Sequence, residues 1–264
     1  MIKRLEYTNH TVLITVKAYP NISSNVKLGE TCCIGGIDPD GKWIRIYPIL
    51  FRDLPYNQRP KKYDIANIDL AKKRDPRPES YFPKESTLRV LSHISTEDGT
   101  WAERKRWVLK GISESMCEIQ RLSASENKSF GLFQPKEIVD FTVEDDDVQW
   151  TAKQAQVIKQ GNLFGTGRTP LDKIPFKFRY HYYCEDAACK GHDQQIIDWE
   201  ICELYRNLRE QYAGDVEAIK RGIRQKFFDD LCGPRYDTHF FVGDQAFHLG
   251  SFMVLGLFRP LKRR

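Results

Sequence analysis

The sequence predicts an α+β protein built on small β barrels or sandwiches, and three observations carry that prediction. Through the first third of the chain, short β-branched and aromatic runs alternate with tight polar turns. Beyond Asp98, and again between Gln194 and Leu231, apolar residues recur at helical spacing. Third, Gly41-Lys42-Trp43-Ile44-Arg45-Ile46-Tyr47-Pro48-Ile49 alternates strictly. A strand sends successive side chains to opposite faces, so Ile44 and Ile46 face a core while Trp43, Arg45 and Tyr47 share the other side.

Taken in order, residues 10–19 are a β-branched strand ended by Pro20, 21–25 a polar turn, and 30–37 a second strand. Asp38-Pro39-Asp40-Gly41 turns the chain into the Trp43 strand. Phe51-Arg52-Asp53-Leu54 leads to a basic loop and a strand over 63–70. Prolines hold residues 74–83 extended, and 88–94 closes the first unit. Residues 100–110 and 113–122 read as helices broken at Gly111, with Thr100 and Glu103 spaced as a capping box. Strands return at 130–133 and 138–143, and 150–160 is helical. Gly165-Thr166-Gly167-Arg168 lacks the Gly-Lys-Ser/Thr of a phosphate loop and reads as a turn. Over 176–183, Phe176, Phe178, Tyr180 and Tyr182 fall on one face. A stripe of Ile197, Ile201, Leu204, Tyr205, Leu208 and Tyr212 predicts a helix over 194–212, and a second runs over 215–231 to Cys232-Gly233-Pro234. Residues 238–242 and 252–258 make a closing hairpin. Three segments result: a β domain with a basic loop over 1–95, a helical insertion with strands and an acidic linker over 96–147, and a second α+β domain over 148–264.

The 264 residues, 41% hydrophobic, exclude a wholly disordered chain, and no apolar run approaches the roughly 20 residues of a membrane span. The first residues lack the apolar segment of a secretory signal. Seven cysteines, an odd number, argue against a complete disulfide framework and for a reducing compartment, so a cytoplasmic protein is expected. The formal charge of +5 is modest, but it is concentrated. Arg59, Lys61, Lys62, Lys72, Lys73, Arg74 and Arg77 crowd one stretch, and Arg259, Lys262, Arg263 and Arg264 another. Glu144-Asp145-Asp146-Asp147 carries compensating negative charge.

Cys184-Glu185-Asp186-Ala187-Ala188-Cys189-Lys190-Gly191-His192 supplies two thiols and an imidazole that can fill three corners of a zinc tetrahedron. Cys202 is taken as the fourth ligand, with Cys232 and His181 as alternatives, and the ion as a structural staple. The plainer reading is two unliganded thiols and a surface histidine. His192, Asp198, Glu200 and Glu203 also raise a metal-dependent nuclease. Asp198 and Glu200, however, lie about 200° apart on a helix and cannot share one ion. Cys32 and Cys33, adjacent in a strand, have no histidine close in sequence to orient either thiol, and Asp237-Thr238-His239 matches no assignable motif, so an enzyme is not expected.

Several motifs together, Gly41 to Pro48, Phe51-Arg52-Asp53-Leu54, Arg77-Pro78-Glu79-Ser80-Tyr81, Pro135-Lys136-Glu137-Ile138-Val139-Asp140-Phe141, and His192 with Asp198-Trp199-Glu200, resemble a prokaryotic dual-OB-domain family found around bacterial antiviral defence and conflict systems. The resemblance implies two OB-type barrels; joined to the pattern of elements and the Cys184–His192 cluster, the expectation is two OB-like barrels with helical insertions and a C-terminal helical segment that a zinc ion would staple. It also implies a nucleic-acid or nucleotide role within such a system, and it supplies no catalytic residue. The expected ligand is single-stranded DNA or RNA. Trp43 and Tyr47 would stack bases, while Arg45, Arg52, Lys61, Lys62, Arg74 and Arg77 would neutralise phosphates. The competing expectation is an interaction module that docks a nuclease or ATPase of the same system, because aromatics and arginines also anchor protein interfaces.

Overall fold

The computed structural model describes residues 5–23, 29–72, 75–96, 101–164, 169–245 and 248–262. Its first half is a closed barrel. The chain runs through β1 (Thr8–Lys17), the short β2 (Asn21–Ile22), β3 (Glu30–Ile37), β4 (Trp43–Ile49), β5 (Asp64–Lys72) and β6 (Ser80–His93). Neighbours follow the order β1-β5-β6-β4-β3, and a β1–β3 pairing completes the ring. Every step is antiparallel except β4–β6, which is parallel. This five-stranded Greek-key closure is OB-like. Alternate residues fill it: Val12, Ile14, Cys32, Ile34, Ile44, Ile46, Ala66, Ile68, Leu70 and Leu88 form one buried cluster. Phe51 and Leu54, from the tight turn after β4, join that cluster.

The second half adds α1 (Ala102–Val108), α2 (Met116–Glu126), β7 (Phe130–Phe133), β8 (Glu137–Asp145), α3 (Ala152–Phe164), β9 (Phe176–Tyr183), β10 (His192–Ile196), α4 (Trp199–Gln211), α5 (Val216–Arg224), β11 (His239–Gln245) and β12 (His248–Phe258). Its strands form a sheet ordered β7-β11-β12-β10-β9-β8. One face packs Phe133, Phe178, Tyr180, Tyr182 and Phe240 against Ile201, Tyr205, Leu208, Ile219 and Ile223 of α4 and α5. The buried hydroxyls are satisfied: Tyr180 donates to the Phe227 carbonyl at 2.7 Å and Tyr182 to Gln194 at 2.6 Å. The other face, with Phe130, Leu132, Phe241, Leu255 and Phe258, packs on the outside of the barrel against Leu13, Val16, Ile37 and Trp43. Helices, sheet and barrel therefore make three layers. At Gly35 a Cβ would lie 2.4 Å from the Phe130 ring, so only glycine admits the sheet this close to β3.

Several expectations need correction. The second β unit is an open sheet, with no pairing between β7 and β8 among the described residues, where a second barrel was expected. The strands of the 96–147 segment belong to that sheet, through β7–β11 and β8–β9 pairing. The acidic run is not a linker: Glu144 and Asp145 end β8, and Asp146 is ion-paired with Lys173 at 3.1 Å and Lys177 at 3.0 Å. Residues 194–196, expected to open a helix, belong instead to the strand β10 between β9 and β12. The helix starts after Asp198, whose carboxylate accepts from the Glu200 N–H at 3.1 Å and caps it. Thr100 and Gly165-Thr166-Gly167-Arg168 lie outside the described residues.

Candidate metal centre and candidate nucleic-acid interface

The alternation of β4 is as expected, but its second face does not meet water. Trp43 is 8% exposed, its ring 5.0 Å from Phe130 and 6.0 Å from Phe241, and its Nε1–H donates to the Gly111 carbonyl at 3.1 Å. Arg45 is also buried and donates to the carbonyls of Asp244 at 2.7 Å and Ser129 at 2.5 Å. The Asp244 carboxylate lies 3.5 Å from the same guanidinium. Arg77 is buried too, forked onto Asp75 at 2.8 and 2.6 Å and 3.4 Å from Asp244. Glu79 completes the network, accepting from the backbone N–H groups of Ser129 at 2.8 Å and Phe130 at 3.2 Å. These residues join barrel to sheet, so neither the indole nor either guanidinium is open to a polyanion.

The remaining expected residues fare differently. Tyr47 is half-buried. Arg52 is paired with Glu30 at 3.0 Å and donates to the Thr169 carbonyl. Lys62 bridges Asp198 at 3.2 Å and Glu200 at 3.0 Å. Burial opposes its charge, but the two carboxylates outweigh burial and raise its pKa, so it stays protonated. Lys61 is exposed, and Arg74 lies outside the described residues. The connection from β4 to β5 also carries a residue that periodicity does not single out. Tyr56 is 82% exposed, three residues before Arg59. Arg59 donates to the carbonyls of Leu54 at 2.9 Å and Arg52 at 2.7 Å, neutral acceptors that leave its charge uncancelled.

The metal-ligating residues converge, with one exchange. Ligand atoms of Cys117, Cys184, Cys189 and His192 all lie within 4.8 Å of one another. His192 Nε2 is 3.4 Å from Cys184 Sγ, 3.4 Å from Cys189 Sγ and 3.6 Å from Cys117 Sγ, and the sulfurs of Cys117 and Cys184 are 3.6 Å apart. Cys184 follows β9, and His192 opens β10 opposite Tyr182. The turn between them is held by the Cys189 N–H on the Asp186 carbonyl at 3.0 Å, and Gly191 takes the left-handed φ of 93° that lets the chain reverse. The Gly191 N–H points at Cys189 Sγ at 3.4 Å, as does that of Cys184. Cys117 arrives from the first turn of α2, which Ser115 caps by accepting from the Glu118 N–H at 3.0 Å. Asp186 ties turn to helix through Arg121 at 2.7 Å.

Cys202, the expected fourth ligand, is instead buried on the packed side of α4 with Ile201 and Tyr205. Burial and the neighbouring Cys184 and Cys189 push the Cys117 thiol up to about 12. Burial lowers the His192 pKa, favouring the neutral imidazole that binds metals. Asp198 and Glu200 hold Lys62 between them, and Glu203 accepts from the Trp199 indole at 2.6 Å and from Arg206 at 3.0 Å. Among the described residues these acids do not converge on a shared point, whereas the Cys3His group has ligand atoms close enough that it could hold a metal ion.

Residues 112–264 match the family model described as a domain of unknown function (DUF8757), and residues 8–110 match a second domain of unknown function (DUF8758). Comparison with curated proteins finds no match. Among solved structures the chain is similar to a replication protein A heterotrimer bound to ssDNA, at 8% identity and a TM-score of 0.25, over 99% of this chain and 67% of that one. A score of that size establishes no shared fold.

Proposed function

We propose that this chain, which belongs to the DUF8757 family, binds single-stranded nucleic acid at the β4–β5 connection of its OB-like barrel. The observation that carries the reading is Tyr56, an almost fully exposed ring in the same connection as Arg59 and Lys61. A base stacks on such a ring without regard to its identity, and the two cations take the flanking phosphates. The test is fluorescence anisotropy with labelled single-stranded DNA and RNA against duplex controls. Tyr56→Ala is expected to weaken single-strand binding by about 1 to 3 kcal/mol, the usual worth of one stacked base. Wild-type affinity in that variant would remove the reading.

Structural zinc in the Cys3His group is the second part of the proposal. A tetrahedral ion about 2.3 Å from sulfur and about 2.0 to 2.1 Å from nitrogen requires ligand atoms roughly 3.5 to 3.8 Å apart. Four of the six separations, 3.4 to 3.6 Å, come close to that requirement, and the other two are within 4.8 Å. Four protein ligands leave no open position, so the ion would hold α2 to the β9–β10 hairpin and take no part in chemistry. One zinc per chain in purified protein, by elemental analysis, is the expected result; metal-free protein with full stability would count against it.

A further inference from the structure

The geometry points to a phosphate-binding site at the C-terminal edge of the second unit, where Arg235 and Arg259 flank Tyr236; it rests on the nucleic-acid reading above. The backbone fixes these residues together. Tyr236 bridges to Leu261, the Asp237 N–H donates to the Pro260 carbonyl at 2.8 Å, and the Lys262 N–H to the Arg235 carbonyl at 3.0 Å. The two guanidinium carbons lie 4.7 and 5.3 Å from the centre of the Tyr236 ring. Among the described residues neither guanidinium, nor the Lys262 ammonium, has a carboxylate within 4.0 Å. Many arginines elsewhere are ion-paired, among them Arg45, Arg52, Arg77, Arg121, Arg179, Arg206 and Arg224, whereas Arg59, Arg89 and Arg104 donate to carbonyls.

An arginine held against an aromatic ring is pre-organised, because stacking uses the face of the guanidinium and leaves its planar fork of N–H donors for another partner. That fork matches a phosphate bidentately. With a guanidinium against it from each neighbour, Tyr236 serves to position the arginines and not to stack a base, which separates this site in kind from Tyr56. The site is also connected to the barrel. Arg259 lies close enough to Tyr63, Arg104 and Glu200 to act on their ionisation, and Tyr63 directly follows Lys61 and Lys62.

The experiment measures binding of oligothymidylate and oligouridylate across a salt series for wild type and for Arg235→Gln combined with Arg259→Gln. Each lost phosphate contact flattens the slope of log K against log salt by about 0.7 for a single strand, so the double variant should be shallower by roughly 1.4 and bind about tenfold more weakly. An unchanged slope and affinity overturns the site while leaving the Tyr56 reading intact. Wild-type protein that binds neither oligonucleotide overturns both. If the double variant does not fold, Lys262→Glu at an exposed position provides the same reading, and an unchanged slope there counts against the site.

Discussion

Arg45 and Arg77 share one buried carboxylate, and the balance of charge at Asp244 decides how much each contributes. Removing one member of a buried ionic group strands another, so Asp244→Ala is expected to cost about 3 to 5 kcal/mol in a urea titration, with the buried Arg45 left without a carboxylate while Arg77 keeps Asp75. Trp43→Ala should cost a similar amount, about 3 to 5 kcal/mol, by leaving a cavity against Phe130 and Phe241, and should not alter single-strand binding once folding is allowed for. That is the reverse of what β4 implies when read alone. Its period-two pattern placed Ile44 and Ile46 inward correctly. What covers Trp43 and Arg45 was not legible, because Ser129 and Asp244 follow Arg45 by 84 and 199 residues, and no local pattern reports contacts of that range.

At the level of elements, the β9–β10 hairpin was half legible. The spacing of Cys184, Cys189 and His192 follows from the turn itself, and the structure brings them together as that spacing implies. Cys117 precedes Cys184 by 67 residues and enters from a different element, so only the packing of α2 could reveal it. Cys202, on the helix that follows the cluster, belongs to the buried apolar stripe of α4. The two cysteines make opposite predictions: Cys117→Ser should abolish stoichiometric zinc and lower the melting temperature, whereas Cys202→Ser should retain the metal. Elemental analysis beside thermal melts separates them. Hydrogen exchange after chelation should show protection lost first in α2 and the 184–192 turn.

Across the whole molecule, the barrel and the sheet share one buried apolar cluster, in which Leu13, Ile37 and Trp43 join Phe241, Leu255 and Phe258. The two units are therefore expected to unfold together, with tryptophan emission and far-UV ellipticity giving coincident transitions. Acid should break that junction. Burial by itself would raise the Asp75 pKa, but hydrogen bonds from Arg77 and Ser80 reverse the sign and hold the carboxyl well below its usual range. A depressed folded-state pKa contributes stability above the ordinary carboxylate range and loses it as pH falls through the folded value. Melting temperature should thus fall below about pH 4, and Asp75→Asn should flatten that fall while lowering stability at pH 7. The junction also governs how the chain is made. Its outer barrel flank is exposed on the ribosome long before β11 and β12 are translated, so a nascent polypeptide that stalls short of residue 239 displays a greasy wall with nothing to shield it. Truncated products should therefore clump or recruit chaperones, whereas full-length chains stay dispersed.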